Sequence, residues 1–454
     1  MMRVKAKAAH QRCPQKQPKN RAGLVHLKHN YPWNVLVFPA ASEVGLEIHR
    51  ALRNCKEVIL HGANQAGQNI AEFVFKRMHR LPPVYESDCL PRLQELITTN
   101  NIDAIFPAHD DVLLWLANRT DRLSAAVISS SAQTCSICRS KQATYKALRD
   151  VIRVPKLLNT QEQPVFPVFV KPDCGQGSYR ARCINDNEAF KLACAREPDL
   201  IVMEHLPGRE YTIDCFSTKD AVIFSAVRER QKTKTGIATL SRPIDMPIAR
   251  TWAERISEKL DLQGAWFFQM KEDSNGKPCL LEVSPRIAGS MALSRAAGPN
   301  FPLLSLYGFA GHSINIEAFH SEMRMGRSLD VKFIYDRPIE ALYIDFDDTL
   351  VVNGNVNTRM ISLIFQCRNR NIPVCLLTHH PGNLEVELTR TRLAGLFDRI
   401  IHIPDPSEAK ADFITEKNAV FVDDSFRERS EAAKLCGVRC FDAAGAECLL
   451  DERS

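Results

Sequence analysis

Two aspartates, two residues apart, directly follow a short apolar run, Ala341 to Ile344. Side chains i and i+2 of a strand point to one side, so Asp345 and Asp347 are expected together at the end of a buried strand. Two carboxylates are tolerated there when a cation lies between them or one holds a proton. The pair therefore suits phosphoryl transfer, with Asp345 as nucleophile, Asp347 as general acid/base and Mg²⁺ screening the phosphate.

Three more segments follow this pair in chain order. Thr378 ends an apolar strand, Lys410 opens a predicted helix beyond Pro406, and Asp423 and Asp424 end another strand. With residues 345–350 these segments resemble the four motifs of the haloacid dehalogenase (HAD) superfamily. The resemblance implies that Thr378 binds phosphate and that Lys410 neutralises both the phosphate and the nucleophile. It also implies metal ligation by Asp345, Asp347, Asp423 and Asp424.

The spacing of these motifs leaves no room for a cap domain. Only 28 residues, 350–377, lie between Thr349 and Thr378, and they are interpreted as one helix with loops. A site without a cap is open to solvent, so either the substrate is large or the neighbouring domain is the lid. His379 and His380, next to Thr378, either contact substrate or are surface histidines.

A different phosphate-handling pattern lies upstream. Lys171 ends an apolar strand, and a loop with Gly175 and Gly177 follows. Glycine lets backbone N–H groups approach phosphate oxygens, although such a loop alone is also typical of a turn. Glu204 ends one apolar strand and Glu210 opens the next, so both acids are placed to hold an adenine amino group and ribose hydroxyls.

Gln269 and Glu282 lie on two apolar strands joined by a turn at residues 274–276, which predicts a hairpin that pairs them across one face. An amide oxygen beside a carboxylate is a hard-cation site, suited to Mg²⁺ that bridges ATP phosphates. Arg286 follows closely and has the geometry to grip a carboxylate or an acyl phosphate.

In their order and spacing these stretches resemble the ATP-grasp superfamily, in particular its carbamoyl-phosphate-synthetase-like branch, over residues 32–335. The resemblance implies ATP with Mg²⁺ or Mn²⁺ as cofactors and activation of a carboxylate through an acyl phosphate. It assigns phosphate binding to Lys141 and Lys171, adenine and ribose binding to Glu204 and Glu210, and metal ligation to Gln269, Glu282 and Ser284. Arg286 resembles the Arg of an E-x-N-P-R ending.

Two features depart from that pattern or stay open. Ser284 stands where the family usually has Asn, so a second metal would be held more loosely or through water. Arg228 and Arg230 either contact the acyl phosphate or belong to a solvated charged strand.

The predicted fold class is a multidomain α/β and α+β protein. Residues 1–31 are expected to be a disordered basic tail, residues 32–135 a parallel α/β domain, residues 136–335 the ATP-grasp α+β domain, and residues 338–454 a capless HAD-like Rossmannoid α/β domain. The loop after the first strand, residues 39–45, lacks G-x-G-x-x-G, which argues against a dinucleotide site.

The composition of the chain limits the kinds of partner that we expect it to bind. The net charge is +6, but residues 1–42 hold eight Lys/Arg and no acid, so the rest carries −2 and predicts no nucleic-acid-binding face. No apolar run reaches the ~18 residues of a membrane span. The 15 cysteines are scattered over the chain, which indicates reduced thiols and a cytoplasmic location, and Cys135 with Cys138 lacks the second pair of a zinc site.

The sequence thus predicts a bifunctional enzyme, an ATP-grasp ligase fused to a HAD-type phosphatase. The expected partners are a small-molecule carboxylate, a nucleophile and a phosphorylated substrate. Two alternatives stay open: a ligase with a regulatory or docking C-terminal domain, and an ATP sensor with weak turnover. The identity of the substrates, any link between the two activities and a homodimeric state are left undecided.

Overall fold

The computed structural model describes residues 27–159, 161–318 and 322–453. The predicted basic tail therefore lies almost wholly outside the described residues. None of the helices in these ranges is long and apolar enough to cross a membrane. Every cysteine in them, fourteen in all, is a free thiol.

Residues 33–127 form a five-stranded parallel sheet in the order β3-β2-β1-β4-β5, which confirms the predicted parallel arrangement. Val35 and Val37 pack against one cluster while Leu36 and Phe38 pack against another, as the period of two requires. The elements are β1 (Trp33–Phe38), α1 (Glu43–Leu52), β2 (Val58–Asn64), β3 (Arg77–Arg80), α2 (Cys89–Thr99), β4 (Ala104–Pro107), α3 (Asp110–Ala117) and β5 (Ala126–Val127).

The start of α1 explains the sequence of the loop after β1. The Ser42 hydroxyl caps the helix by accepting from the backbone N–H of Gly45 at 2.9 Å. A Cβ on Gly45 would lie 2.5 Å from the carbonyl oxygen of Ala40, so only glycine fits this approach of helix to loop. These residues therefore serve a tight turn.

The middle of the chain contains two antiparallel sheets, in the orders β7-β6-β8 and β13-β12-β9-β10-β11-β14. The predicted antiparallel component is confirmed. The elements are α4 (Ala132–Arg139), α5 (Lys141–Leu148), β6 (Val168–Pro172), β7 (Arg182–Ile184), α6 (Asn187–Arg196), β8 (Leu200–Glu204), β9 (Glu210–Ser217), β10 (Val222–Lys234), β11 (Ile237–Ile244), α7 (Pro247–Leu260), β12 (Gly264–Glu272), β13 (Pro278–Ser284), α8 (Ala292–Ala296), α9 (Phe301–Phe309) and β14 (Met325–Gly326).

The C-terminal part is a second parallel sheet, in the order β19-β18-β15-β20-β21. Leu342 and Ile344 pack into one cluster, and Ala341 and Tyr343 into another, so both faces of β15 are covered. The elements are β15 (Leu342–Ile344), β16 (Val351–Val352), β17 (Asn355–Val356), α10 (Thr358–Asn369), β18 (Val374–Thr378), α11 (Leu384–Arg390), β19 (Arg399–His402), β20 (Val420–Val422), α12 (Phe426–Leu435) and β21 (Arg439–Phe441).

The first two parts of the chain share a hydrophobic core, whereas the C-terminal part has hydrophobic clusters of its own. Val37 of the first sheet and Phe267 of the six-stranded sheet belong to one cluster, so the first two parts share a core. The clusters of the C-terminal part contain no residue from before position 335. A polar link joins it to the preceding segment, where Lys332 Nζ lies 2.8 Å from a carboxylate oxygen of Glu452.

Two candidate active sites

A row of polar side chains crosses the six-stranded sheet. Glu282 lies opposite Gln269, Gln269 opposite Thr212, and Thr212 opposite Arg228. We call these four residues the polar rung; with strands about 4.8 Å apart, it spans about 14 Å. The predicted pairing of Gln269 with Glu282 is confirmed. All four residues line cavity one, a space of about 290 Å³ between the six-stranded sheet, the loops of the first sheet and α4.

A smaller space of about 140 Å³, cavity two, adjoins cavity one. The two share Lys141, Gly175, Gly177, Gln269 and Glu282, so the predicted metal ligands lie between them. Two further predicted site residues, Lys171 and Glu210, also line cavity two. The predicted metal ligands thus form part of the boundary between the two cavities.

The two predicted phosphate-binding lysines are both buried at this junction. Lys171 Nζ donates to the hydroxyl of Tyr145 at 2.9 Å and to the carbonyl of Leu281 at 3.3 Å. Burial, together with the charge of Lys141, lowers the pKa of Lys171 to about 8. Lys141 Nζ donates to the carbonyls of Asp173 (3.1 Å) and Gly175 (3.0 Å), so it also braces the glycine loop.

The glycine loop closes over the junction. Gly177 has φ +62°, and a Cβ on Gly236 in the turn after β10 would lie 2.6 Å from the Gly177 carbonyl carbon. The Gln176 side chain hydrogen-bonds the imidazole of His109 at the start of α3. The loop is thus held between the first sheet and the tip of the β10–β11 hairpin.

Glu204, which the sequence predicted as an adenine contact, is engaged by the loop at residues 153–156. Its carboxylate accepts from the backbone N–H of Lys156 at 2.9 Å and from Arg153 at 3.3 Å, and it lines neither cavity. Met203 and Leu206 line cavity two from this segment instead. The charged end of Glu204 therefore stabilises the neighbouring loop, and Met203 and Leu206 give the segment an apolar side towards cavity two.

Ser284 and Arg286 are engaged by a residue that the sequence did not single out. Asp110 accepts from Arg286 Nε at 2.6 Å and Nη2 at 2.9 Å, and from the Ser284 hydroxyl at 3.2 Å. Burial acts to raise the pKa of Asp110, but the charge of Arg286 outweighs it and brings the value to about 2. Arg286 and Ser284 thus both bind a carboxylate of α3, and the contact of Arg286 with a substrate carboxylate or acyl phosphate stays a prediction.

Arg228 is only 2% exposed, so the solvated-strand alternative is wrong for this residue. Its guanidinium donates to both carboxylate oxygens of Asp214, at 2.9 and 3.1 Å. Arg230 lies 2.8 Å from Glu210 and lines both cavities. Both arginine side chains line cavity one.

The second site lies at the carboxyl ends of β15, β18 and β20. Lys410 Nζ is 2.8 Å from Asp345 and 2.6 Å from Asp423, and all three residues are at most 4% exposed. Burial raises the pKa of Asp345 to about 6, although Lys410 opposes this. Thr378 ends β18, and its hydroxyl accepts from the backbone N–H of His380 at 3.2 Å. Lys410 begins a single 3₁₀ turn, Lys410–Phe413, where the sequence predicted a helix.

Carboxylate oxygens of Asp345, Asp423 and Asp424 lie within 4.8 Å of one another, a donor set that fits a hard divalent cation. Asp347 does not join this group, contrary to expectation. Strand β15 ends at Ile344, so the two-residue alternation no longer holds at Asp347. Its half-exposed carboxylate accepts instead from His380 Nδ1 at 2.9 Å, and the His380 ring packs edge-on against Phe346.

The sequence of the central part matches a known family. The model of the family described as ATP-grasp in the biosynthetic pathway with Ter operon matches residues 196–329. D-alanine–D-alanine ligase from Thermotoga petrophila is 30% identical over 108 residues, which are 22% of this chain and 36% of that protein. The matched part thus spans about a third of that relative.

Solved structures share the fold of the first two parts. The biotin carboxylase domain of Hydrogenobacter thermophilus 2-oxoglutarate carboxylase, in complex with MgADP, ADP and bicarbonate, has a TM-score of 0.53 at 13% identity, over 63% of this chain and 71% of that one. N5-carboxyaminoimidazole synthetase from Staphylococcus aureus gives 0.52 at 13% identity, over 65% and 82%. L-amino acid ligase from Bacillus licheniformis gives 0.50 at 16% identity, over 62% and 75%.

These matches support the ATP-grasp superfamily for the central part of a mixed α/β multidomain chain. At such identities the structural neighbours show the fold alone. The HAD resemblance of residues 338–454, the domain boundaries and the roles of the site residues stay predictions.

Proposed function

We propose that the chain is a bifunctional enzyme. Its ATP-grasp part activates a carboxylate as an acyl phosphate and joins it to an amine or a similar nucleophile, and its C-terminal part hydrolyses a phosphomonoester. The polar rung carries the first assignment, because it places oxygen donors of Gln269 and Glu282 where the two cavities meet beside two buried lysines.

The residues at this junction fit ATP and Mg²⁺. Lys141 and Lys171 supply buried positive charge, and the glycine loop brings backbone groups close to cavity two. Gln269 and Glu282 would hold Mg²⁺, which neutralises the charge of the transferring phosphoryl group when bound. Structures of the same fold hold MgADP or ADP, which supports a nucleotide at this place.

The ligation proceeds in two balanced steps. A carboxylate oxygen attacks the γ-phosphorus of ATP and ADP leaves, which converts a poor electrophile into an acyl phosphate. An amine or similar nucleophile then attacks the acyl carbon, inorganic phosphate leaves, and the proton lost by the nucleophile passes to this phosphate or to solvent. The lysines stabilise negative charge in both steps, and the glycine loop excludes water that would hydrolyse the acyl phosphate.

The phosphatase half rests on the buried Lys410 between Asp345 and Asp423. Asp345 attacks phosphorus to form an aspartyl phosphate, and Asp347 protonates the leaving oxygen. Asp347 then deprotonates the water that hydrolyses the intermediate. Mg²⁺ held by Asp345, Asp423 and Asp424 would screen the carboxylates from the phosphate.

ADP release against libraries of carboxylates and amines tests the ligase half. Turnover that needs both an acceptor carboxylate and a nucleophile is expected, and Glu282→Ala should abolish it. Glu254→Ala, on the exposed face of α7, is the matched control. ATP binding without ADP release under any combination would favour the sensor alternative over ligation.

Hydrolysis of an aryl phosphate in Mg²⁺ tests the phosphatase half. Asp345→Asn should abolish it, whereas the exposed Asp412→Asn in the neighbouring turn should not. Glu282→Ala should leave this hydrolysis intact because the two sites share no residue. A folded wild-type chain without phosphatase activity would favour the docking alternative.

A further inference from the structure

Cavity one is lined by many charged side chains. Three of them are acidic, Glu43, Asp110 and Glu282, and six are cationic, Arg139, Lys141, Arg228, Arg230, Arg286 and Arg327. Three further acids outside this lining, Asp111, Asp214 and Glu210, offset the difference through ion pairs with Arg139, Arg228 and Arg230. Most of these cations already have a partner: Arg286 binds Asp110, Arg139 binds Asp111, and Arg327 binds Glu43.

Arg228 differs because its partner leaves one donor free. Asp214 occupies Nε and Nη2, and the Ser294 hydroxyl donates to the same carboxylate at 2.7 Å. Asp214 is fully buried, so this arrangement fixes the plane of the guanidinium. Nη1 is buried and has no hydrogen-bond partner among the described residues.

An orphaned guanidinium N–H is expensive inside a protein. A buried hydrogen-bond donor that has no acceptor destabilises the folded state, and more so when the group is charged. The side chain lines cavity one, so an oxygen of a ligand in that cavity is the partner that would satisfy Nη1. A charge-assisted bond to an oxyanion is stronger than one to a neutral oxygen.

We propose that Arg228 Nη1 anchors an oxyanion, a carboxylate or phosphate group, that the ligase's organic substrate carries in addition to the carboxylate that ATP activates. This inference rests on the proposed ligase function. It adds that the substrate has two anionic groups, one at the metal end of the polar rung and one at Arg228.

The polar rung limits the size of such a substrate. Arg228 is two strands from Gln269, so their Cα atoms lie about 10 Å apart. A molecule of that reach is a small dicarboxylic acid or a phosphorylated carboxylic acid. A phosphate on the substrate would survive ligation unchanged, so the product would be a phosphomonoester of the kind the C-terminal site hydrolyses.

Isothermal titration calorimetry on the full chain tests the anchor. The nucleotide site is first filled with Mg²⁺ and the non-hydrolysable analogue AMP-PNP, and inorganic phosphate and malonate are then titrated separately. Arg228→Lys keeps a cation beside Asp214 but removes Nη1. Arg242→Lys is the matched control, because Arg242 lies on the next strand, pairs with Glu229 and does not line cavity one.

Arg228→Lys should lower the affinity for phosphate or for malonate at least tenfold, whereas Arg242→Lys should leave both affinities unchanged. Weakening of phosphate alone identifies a phosphate subsite, and weakening of malonate alone a carboxylate subsite. Phosphate also binds at the C-terminal site, but it does so equally in the wild type and both variants, so this binding does not affect the comparison. Equal affinities in wild type and Arg228→Lys, or no binding to the wild type, would overturn the proposal.

A second measurement protects the test against misfolding of the variant. Wild-type crystals soaked in selenate should show anomalous density within hydrogen-bond distance of Arg228 Nη1, and its absence there refutes the anchor. Failure of AMP-PNP to bind would count against the proposed ligase function. Normal AMP-PNP binding without an anion at Arg228 would count against the anchor alone.

Discussion

Asp110 links the first sheet to the lining of cavity one, and we expect its replacement to destabilise the first two parts of the chain measurably. Its carboxylate binds Arg286 through two hydrogen bonds although the two residues are 176 positions apart. Lowering its pKa from the ordinary 3.8 to about 2 corresponds to about 2.5 kcal/mol in favour of the ionised form. We therefore expect Asp110→Asn to lower the free energy of unfolding by about 2–3 kcal/mol at pH 7.

Urea unfolding followed by tryptophan fluorescence is the assay. All four tryptophans, at positions 33, 115, 252 and 266, lie in the first two parts of the chain, so the signal does not report on the C-terminal sheet. Asp111→Asn is the matched control, because Asp111 is 54% exposed and its pair with Arg139 should contribute at most about 1 kcal/mol.

The pH dependence of this difference follows from the sign of the pKa shift. Because the folded-state pKa of Asp110 is depressed, its contribution is complete above pH 3.8 and is lost as the pH falls towards 2. The difference between wild type and Asp110→Asn should stay constant from pH 8 to pH 5. Equal urea midpoints for wild type and Asp110→Asn, or a difference in stability that vanishes near pH 6, would refute the reasoning.

Three further predictions concern the two sites. The affinity for AMP-PNP should fall as the pH rises through about 8, where Lys171 loses its proton, and Lys171→Met should flatten this profile in a binding titration. His380→Ala should lower kcat/KM for alkyl phosphates tenfold or more but for nitrophenyl phosphate only about threefold, because only a poor leaving group needs the proton from Asp347. Residues 338–454, which have their own hydrophobic clusters, should fold alone by circular dichroism and be less selective among phosphomonoesters than the full chain.

Each of these has an outcome that counts against it. An AMP-PNP affinity that is flat between pH 7 and 9 would remove Lys171 from the phosphate site. Equal losses with both leaving groups would make His380 a structural residue, without a role in orienting Asp347. An unchanged selectivity profile in the isolated C-terminal part would exclude the ATP-grasp part as its lid and leave a large substrate as the explanation.

Local patterns predicted the positions of the strands well. Alternating apolar residues and the turn at residues 274–276 were enough to pair Gln269 with Glu282, because a hairpin register depends on residues close in sequence. The same holds for the strand that delivers Lys171. A missed element also had a local signal: Asn353-Gly354, with φ values of +49° and +76°, forms the tight turn between β16 and β17.

Contacts between distant segments could not be predicted in this way. The sequence indicated an arginine at position 286 suited to a carboxylate, but nothing near it pointed to Asp110 as the partner. Glu204 was assigned from its place at a strand end, whereas the loop at residues 153–156 decides where its side chain points. Asp347 was assigned by strand alternation, but the strand ends three residues earlier, at Ile344, and His380 then determines its environment.

The two sites lack different partners, and this bears on what each binds. At the C-terminal site one lysine lies among three aspartates whose oxygens cluster, so a divalent cation is the missing charge. In cavity one Nη1 of Arg228 is buried and has no hydrogen-bond partner among the described residues, so an acceptor is missing there. A phosphorylated substrate would meet both needs in turn: its phosphate would pair with Arg228 during the proposed ligation and would then bind the second site together with a metal ion. Chelation should therefore weaken phosphate binding at the C-terminal site while phosphate still binds at Arg228, which separates the two anion sites within one chain.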